Sequence, residues 1–411
     1  MNGIMIQGTS SGAGKSFIVT GLCRLLSDMG IKVCPFKSQN MSNNAYITHD
    51  GLEISTAQAT QAQAARLTPE CFMNPILLKP RHNTSSEIIL NGRTYAHDTS
   101  NYREFALNEG MKAIRESLAY IAANFEAVII EGAGSPAEIN LNDSEIVNMR
   151  IAREADVPVI LVADVGKGGS LASVAGTLDL LGDDRKRVKG IIYNMFRGDM
   201  SLFDDAVKWT ENYTGVKVVG VVPFIEGARI APEDSLNITD YHSTSTNQIR
   251  IGVLRFPNIA NFSDLSAFAH EADVSLRYID GNISVCDFFR LDVVIFPHTN
   301  NIKESRKWLY ESGLGKVIRI FGGALFGIGG GMEILRTIRR KRIEGTNVTS
   351  IFRNDDIRSS WLNRLRRTKN YGEHGIIDTP AANNDSFDEI ARVMSQSLDV
   401  SYILKISGMK L

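Results

Sequence analysis

The residues most suited to chemistry form one run near the start of the chain, Gly8-Thr9-Ser10-Ser11-Gly12-Ala13-Gly14-Lys15-Ser16. Glycines spaced in this way let successive backbone N–H groups close around a polyphosphate. A lysine beside the loop reaches the β- and γ-phosphates, and the next hydroxyl can ligate Mg²⁺. Gly8, Thr9, Gly12, Gly14, Lys15 and Ser16 are therefore the candidate nucleotide-binding residues, with ATP and Mg²⁺ as the implied cofactors. The spacing departs from the usual phosphate loop, because Thr9 lies five residues before Gly14 and the glycine sits one earlier, at Gly8. A turn built only for tight packing would not need the Lys-Ser pair. A magnesium ion also needs a carboxylate. Glu131 ends an apolar run and is followed by Gly132-Ala-Gly134, and Glu53 opens an alanine-rich helix. Ser16, Glu53 and Glu131 are the metal candidates, although Glu53 has an equal reading as a carboxylate favoured by the helix dipole. Lys37, in Phe36-Lys-Ser-Gln-Asn40, follows another apolar run and would face the same edge.

These residues must be held by strands and helices, and the first 235 residues supply them in alternation. Short β-branched runs at Ile4 to Gln7, Lys32 to Phe36, Ala127 to Glu131, Val157 to Ala163, Gly190 to Asn194 and Val218 to Val222 are expected strands. Several are apolar throughout, as strands buried on both faces must be. Ile18, Leu22, Leu25 and Leu26 recur at helical spacing just after the loop, giving strand, glycine loop and helix in order. The polar stretch 236–248 reads as a linker. A second, smaller α/β unit over 249–411 restarts with Arg250 to Leu254, Val293 to Phe296 and Val317 to Phe321 as strands. It ends in a helix opened by a capping box at Ser386 and Glu389. Two doubly wound parallel sheets are expected, ligands binding at the carboxyl ends of the strands.

Composition narrows the function classes. The 411 residues carry 45 Lys+Arg against 46 Asp+Glu, which argues against binding nucleic acid or a membrane through bulk charge. No apolar run is long enough to span a bilayer, and an expected strand begins at Gly3, so a cytoplasmic location is expected. Cys23, Cys34, Cys71 and Cys286 form no CxxC pair; neither a disulfide frame nor a zinc site is indicated, and buried small hydrophobes are expected.

Several segments together resemble the cobyric acid synthase family of cobalamin biosynthesis. They are Gly8 to Ser16, Pro35-Phe-Lys-Ser-Gln-Asn-Met41, Ala57-Gln58 with Gln61-Ala62, Met73-Asn-Pro-Ile-Leu-Leu-Lys-Pro80, Glu131 to Leu141, Asn194-Met-Phe-Arg-Gly-Asp199 and Glu233-Asp-Ser235. The resemblance implies an ATP-dependent synthetase unit (1–235) of the dethiobiotin-synthetase type. It also implies amidation of peripheral carboxylates of a corrinoid, taking an adenosylcobyrinic acid a,c-diamide to cobyric acid through an acyl phosphate. Lys15 and Lys37 would then stabilise the transferred phosphoryl group. Lys167, in Asp164-Val-Gly-Lys-Gly-Gly169, stands where the family usually has arginine.

The same resemblance fails in the second unit. A class I glutaminase places a nucleophilic cysteine on a strand-to-helix elbow with a histidine as its base. Here the cysteine position is Gly329, the histidine position is Thr349, and His298 replaces a loop glycine. The stretch between Leu335 and Gly345 is much shorter than the family's. The expectation is a degenerate amidotransferase-like domain and ammonia taken from solution or from a separate glutaminase. His374-Gly375 imitates the missing motif by coincidence. The basic residues Arg336 to Arg342, Arg358, Arg364, Arg366, Arg367 and Lys369 read as a solvated helical face or, alternatively, as an anion-attracting rim. Two other readings stay open: a noncatalytic nucleotide-binding paralogue, and a switch-type ATPase. Switch ATPases carry a lysine five residues before the loop lysine, where this chain has Ser10. Oligomeric state is not legible.

Overall fold

The computed structural model describes residues 1–82, 85–138, 145–225, 239–339 and 343–410. Glu233-Asp-Ser235, the end of the Glu131 to Leu141 segment and Arg340 to Arg342 therefore lie wholly or partly outside the described residues. Two compact units are present, one made of Met1–Pro80, Thr84–Ile230 and Asn384–Leu411, the other of Arg81–Asn83 and Ala231–Asn383. The chain's last 28 residues thus belong to the first unit, and the division expected at 249–411 is corrected accordingly.

In chain order residues 3–223 contain β1 (Gly3–Gly8), β2 (Val33–Phe36), β3 (Gln39–Met41), β4 (Ala45–Ile47), β5 (Glu53–Ser55), β6 (Ile76–His82), β7 (Ser85–Leu90), β8 (Arg93–Ala96), β9 (Ala127–Glu131), β10 (Val159–Asp164), β11 (Val188–Phe196) and β12 (Val218–Pro223). Among the described residues the main sheet has six parallel strands in the order β12-β11-β10-β1-β9-β2. Alternate residues feed opposite faces: Ile4, Ile6, Ile129 and Ile160 pack into one apolar cluster, Met5, Val128, Ile130 and Leu161 into the other. That double burial is why these strands read as continuous apolar runs. A smaller sheet, β3-β6-β7-β8, and the hairpin β4-β5 are inserted after β2.

Helix α1 (Lys15–Asp28) follows the loop, and α2 (Thr56–Ala64) follows β5. The alanine-rich helix begins at Thr56, capped by Ser55, so Glu53 lies in the preceding strand. The C-terminal helix Thr379–Ser397 packs Met394 against Gly21 of α1, and Asp388 pairs with Arg24 at 2.7 Å. Ser386 is inside that helix; the expected capping box is not its start, because the Asp378 carboxylate accepts the Ala381 N–H at 2.9 Å and caps the helix earlier.

The second unit contains β13 (Ile249–Leu254), β14 (Val274–Ile279), β15 (Val293–Phe296), β16 (Ala324–Ile328) and β17 (Glu344–Thr346), parallel and ordered β14-β13-β15-β16-β17. Val317 to Phe321, expected as a strand, lies mainly in a helix, Leu314–Ile320. Leu314 and Ile318 fall on one helical face and are buried while Ile320 is exposed, a pattern of four rather than two. The strand comes after Gly322-Gly323. Part of the expected linker is also structured, since Tyr241 bridges Leu276 of β14.

The basic cluster differs most from expectation. Arg358 and Arg366 are fully buried on helix Asp355–Thr368. Arg358 pairs with Glu271 at 3.0 Å, and Arg366 binds both oxygens of Asp273, at 2.8 and 2.6 Å. These two arginines form an internal ion network, neither a solvated face nor a rim, while Arg364 and Arg367 make exposed pairs. Of the cysteines, Cys23 and Cys34 are buried as expected, but Cys71 is half-buried and Cys286 exposed.

Candidate functional site

Sheet order and register assemble the site. Ile6 of β1 is opposite Glu131 of β9, and Phe36 of β2 is opposite Ile130. The phosphate loop, Glu131 and Lys37 therefore stand side by side at the carboxyl edge. Gly14 closes the loop at φ 92°, and a Cβ there would lie 2.0 Å from Asn194 Nδ2. Asn194, at the end of β11, itself donates to Ala13 O at 3.1 Å and braces the loop.

Glu131 is completely buried and is the node of the site. Its Oε1 accepts from Ser16 Oγ at 2.9 Å and from Lys37 Nζ at 2.7 Å, and its Oε2 accepts from Gln61 Nε2. Lys15, also buried, donates from Nζ to Ser10 O at 3.3 Å and to Gly134 O at 3.0 Å. Two lysines, a hydroxyl and a carboxylate from three separate places in the chain, 15–16, 37 and 131, are thus brought together. Glu53 is placed differently: its carboxylate is paired with Lys79. Lys167 pairs with Asp164 at 3.5 Å, and its ammonium lies 3.4 Å from where a side chain on Gly12 would begin.

The oxygen donors fit a hard divalent ion. Among the described residues no group of three or more His, Cys, Asp or Glu converges. A Mg²⁺ held by Ser16 and Glu131 would complete its shell from water and phosphate oxygens, the arrangement that ion favours. The buried Oε1 of Gln61, on the side chain whose Nε2 donates to Glu131, has no hydrogen-bond partner and is an acceptor left over beside the carboxylate.

Residue roles missed in the sequence lie behind this front. Asn74 donates to Lys37 O at 3.0 Å and to Ile76 O at 3.1 Å and accepts the Ser55 N–H at 3.1 Å, fixing the backbone that aims Lys37. Asn40 joins Ser55 and Gln58 at 2.6 and 3.0 Å. Their quoted segments contain these residues, but nothing in residue spacing assigns them partners.

In the second unit the chain leaves β16, turns at Gly329 with φ 50° and ψ −124°, and enters helix Gly330–Ile338. A Cβ on Gly329 would lie 2.4 Å from His298 Nδ1 and 3.2 Å from Thr349 Cγ2. The His298 ring accepts the Gly330 N–H through Nδ1 at 3.1 Å. Gly329, Thr349 and His298 are therefore gathered at one elbow, while His374 pairs with Asp273 at 3.4 Å.

Residues 4–238 match the CobQ/CobB/MinD/ParA nucleotide binding domain, and residues 250–351 match the CobB/CobQ-like glutamine amidotransferase domain. A cobyric acid synthase of Nostoc punctiforme is 38% identical over 97% of this chain and 83% of its own length. The chain belongs to the cobyric acid synthase family. A probable cobyric acid synthase of Methanothermobacter thermautotrophicus is 44% identical over 81% of this chain and 66% of its own. The cobyric acid synthase of Anoxybacillus flavithermus is 44% identical over 81% and 67%. Against these two family members the chain thus spans about two thirds of their length. Among solved structures, the signal recognition particle receptor FtsY of Elizabethkingia anophelis, in complex with GDP, has a TM-score of 0.33 at 13% identity over 54% of this chain and 57% of that one, too slight a likeness to carry a conclusion. Among the described residues no helix is long and apolar enough to cross a membrane.

Proposed function

We propose that the protein uses ATP to convert peripheral carboxylates of a corrinoid into amides, taking a cobyrinic acid a,c-diamide to cobyric acid in the cytoplasm. The observation that carries this reading is the convergence of Ser16, Lys37 and Gln61 on Glu131 beside the phosphate loop. A carboxylate has no usable leaving group at neutral pH. Its oxygen therefore attacks the γ-phosphorus, the bond to ADP breaks, and an acyl phosphate results. Ammonia then attacks the carbonyl carbon, the C–O bond to phosphate breaks, and the nitrogen loses a proton. Lys15 and Lys37 offset charge on the transferred phosphoryl group, and the loop N–H groups orient it. Mg²⁺ held by Ser16 and Glu131 would supply charge neutralisation on the β- and γ-oxygens; Glu53 could join only by giving up Lys79.

The same reading holds that ammonia comes from solution or from a separate glutaminase. Gly329 offers neither thiol nor hydroxyl, Thr349 offers no base, and the His298 ring fills the adjoining space. Mass spectrometry of a cobyrinic acid diamide incubated with protein, Mg-ATP and either ammonium or glutamine is the test. Amide formed with ammonium and not with glutamine is expected; no amide with ammonium would refute the ligase reading, and turnover of glutamine would refute the glutaminase loss.

A further inference from the structure

Lys37 and Ser16 both contact the same oxygen of Glu131, Oε1, while Gln61 takes Oε2. Glu131 has no exposure and Lys37 only 3%, so their attraction is poorly screened by water. A Mg²⁺ ion binds carboxylate oxygen at about 2.0–2.1 Å. An ammonium 2.7 Å from Oε1 blocks one approach to that oxygen, and it would repel a dication placed on another. A hydroxyl is compatible with the ion, because Ser16 can offer a lone pair while its hydrogen stays on Glu131.

We infer that Lys37 and the divalent ion are alternative partners of Glu131 Oε1, so that the metal enters as nucleotide phosphate takes the Lys37 ammonium away. Lys37 thus has two positions, one sealing the metal seat and one on the phosphate. A buried ammonium leaving its carboxylate needs another anion, and the polyphosphate in the adjoining loop supplies it. The exchange couples the two ligands: by linkage, the nucleotide raises metal affinity through Lys37 by the same factor as the metal raises nucleotide affinity. The inference rests on the metal and nucleotide reading given above.

The test is a titration of Mn²⁺, followed by its electron paramagnetic resonance signal, into the full chain without nucleotide at pH 8. Lys37→Ala is expected to bind Mn²⁺ about tenfold or more tightly than the unsubstituted protein, within the usual range of coupling between sites. Lys37→Arg, which keeps charge and reach, should remain weak, and so should Lys15→Ala, whose ammonium bonds backbone oxygens. Adding Glu131→Gln to Lys37→Ala should erase the gain. Equal affinity in Lys37→Ala and the unsubstituted protein overturns the inference, as does an equal gain in Lys15→Ala, which would report net charge alone. Lys37→Met, which retains the aliphatic stem, carries the same expectation if Lys37→Ala melts early. Calorimetry of Mg-ATP binding separates the two levels. If the unsubstituted protein binds no ATP, or if Glu131→Gln leaves the Mg²⁺ dependence of binding unchanged, the nucleotide and metal reading fails and the inference falls with it.

Discussion

Gly329→Ala isolates the consequence of the elbow's geometry. Its φ of 50° and ψ of −124° lie in a region that residues with a Cβ adopt at a cost of about 1–3 kcal/mol. The new methyl would start 2.4 Å from His298 Nδ1, so the ring must move. Moving it forfeits the bond from the Gly330 N–H, a net loss of about 0.5–1.5 kcal/mol. The substitution should therefore destabilise the second unit by about 1.5–4.5 kcal/mol in all. In a His298→Gly background the ring is gone, and only the backbone contribution of about 1–3 kcal/mol should remain. The double-mutant cycle should show a coupling of about 0.5–1.5 kcal/mol. Urea unfolding followed by tryptophan fluorescence reads this unit, because Trp308 and Trp361 belong to it and only Trp209 to the first. A neutral Gly329→Ala, or a cost that is the same with and without His298, would refute the reasoning. The functional corollary is that Gly329→Cys with Thr349→His yields no glutaminase unless His298 is also removed; ammonia release from glutamine measures it.

Three further outcomes are expected. Lys15→Ala should weaken ATP binding by about ten- to a hundredfold, the worth of a charged hydrogen bond, and unchanged calorimetric heats would contradict that. Arg366→Ala should destabilise the second unit by about 3–5 kcal/mol because it strips Asp273 of its buried arginine and leaves Glu271 with Arg358 alone, whereas Arg364→Ala, an exposed pair, should cost about 0–1 kcal/mol; equal urea midpoints for the two would contradict the buried network. Burial pushes the Asp264 carboxyl up to about 7, against the opposing N–H bonds from Phe352 and Arg353 and the charge of Arg353. The folded state then holds a proton that the unfolded chain releases near 3.8, so this group's contribution to stability falls as pH rises from about 4 to 7, by up to about 4 kcal/mol. Asp264→Asn should remove that slope from urea midpoints measured across the range, and an unaltered slope would reject the assignment.

The sequence by itself determined the pattern of the main sheet and the front of the site. Continuous apolar runs mark strands buried on both faces, and a strand, a glycine loop and a Lys-Ser pair leave few alternatives to a polyphosphate cradle. It also places glycine at 329 and threonine at 349, where the family resemblance leads one to expect a thiol and an imidazole, because residue type is a fact of sequence. Local pattern misled where its period was ambiguous, as at Val317 to Phe321, where Val317, Ile318 and Phe321 share one face of a helical turn and Ile320 points away from it. It misled again at Ser386, where a capping sequence occurs inside a longer helix.

Only tertiary structure decided which charges meet. Glu131 faces Lys37 because β9 lies between β1 and β2, an order no local signal carries. Glu53, equally acidic in sequence, is matched instead with Lys79. Arg358 and Arg366 look like any solvated arginines on a helix until the acidic pair Glu271 and Asp273, more than eighty residues earlier in the chain, is folded beneath them. His298 likewise gains its meaning from the turn after β15, which carries its ring to the Gly329 elbow. Residue type fixes what a group can do, while long-range packing fixes its partner, and Coulomb and hydrogen-bond energies depend on the partner's distance and burial.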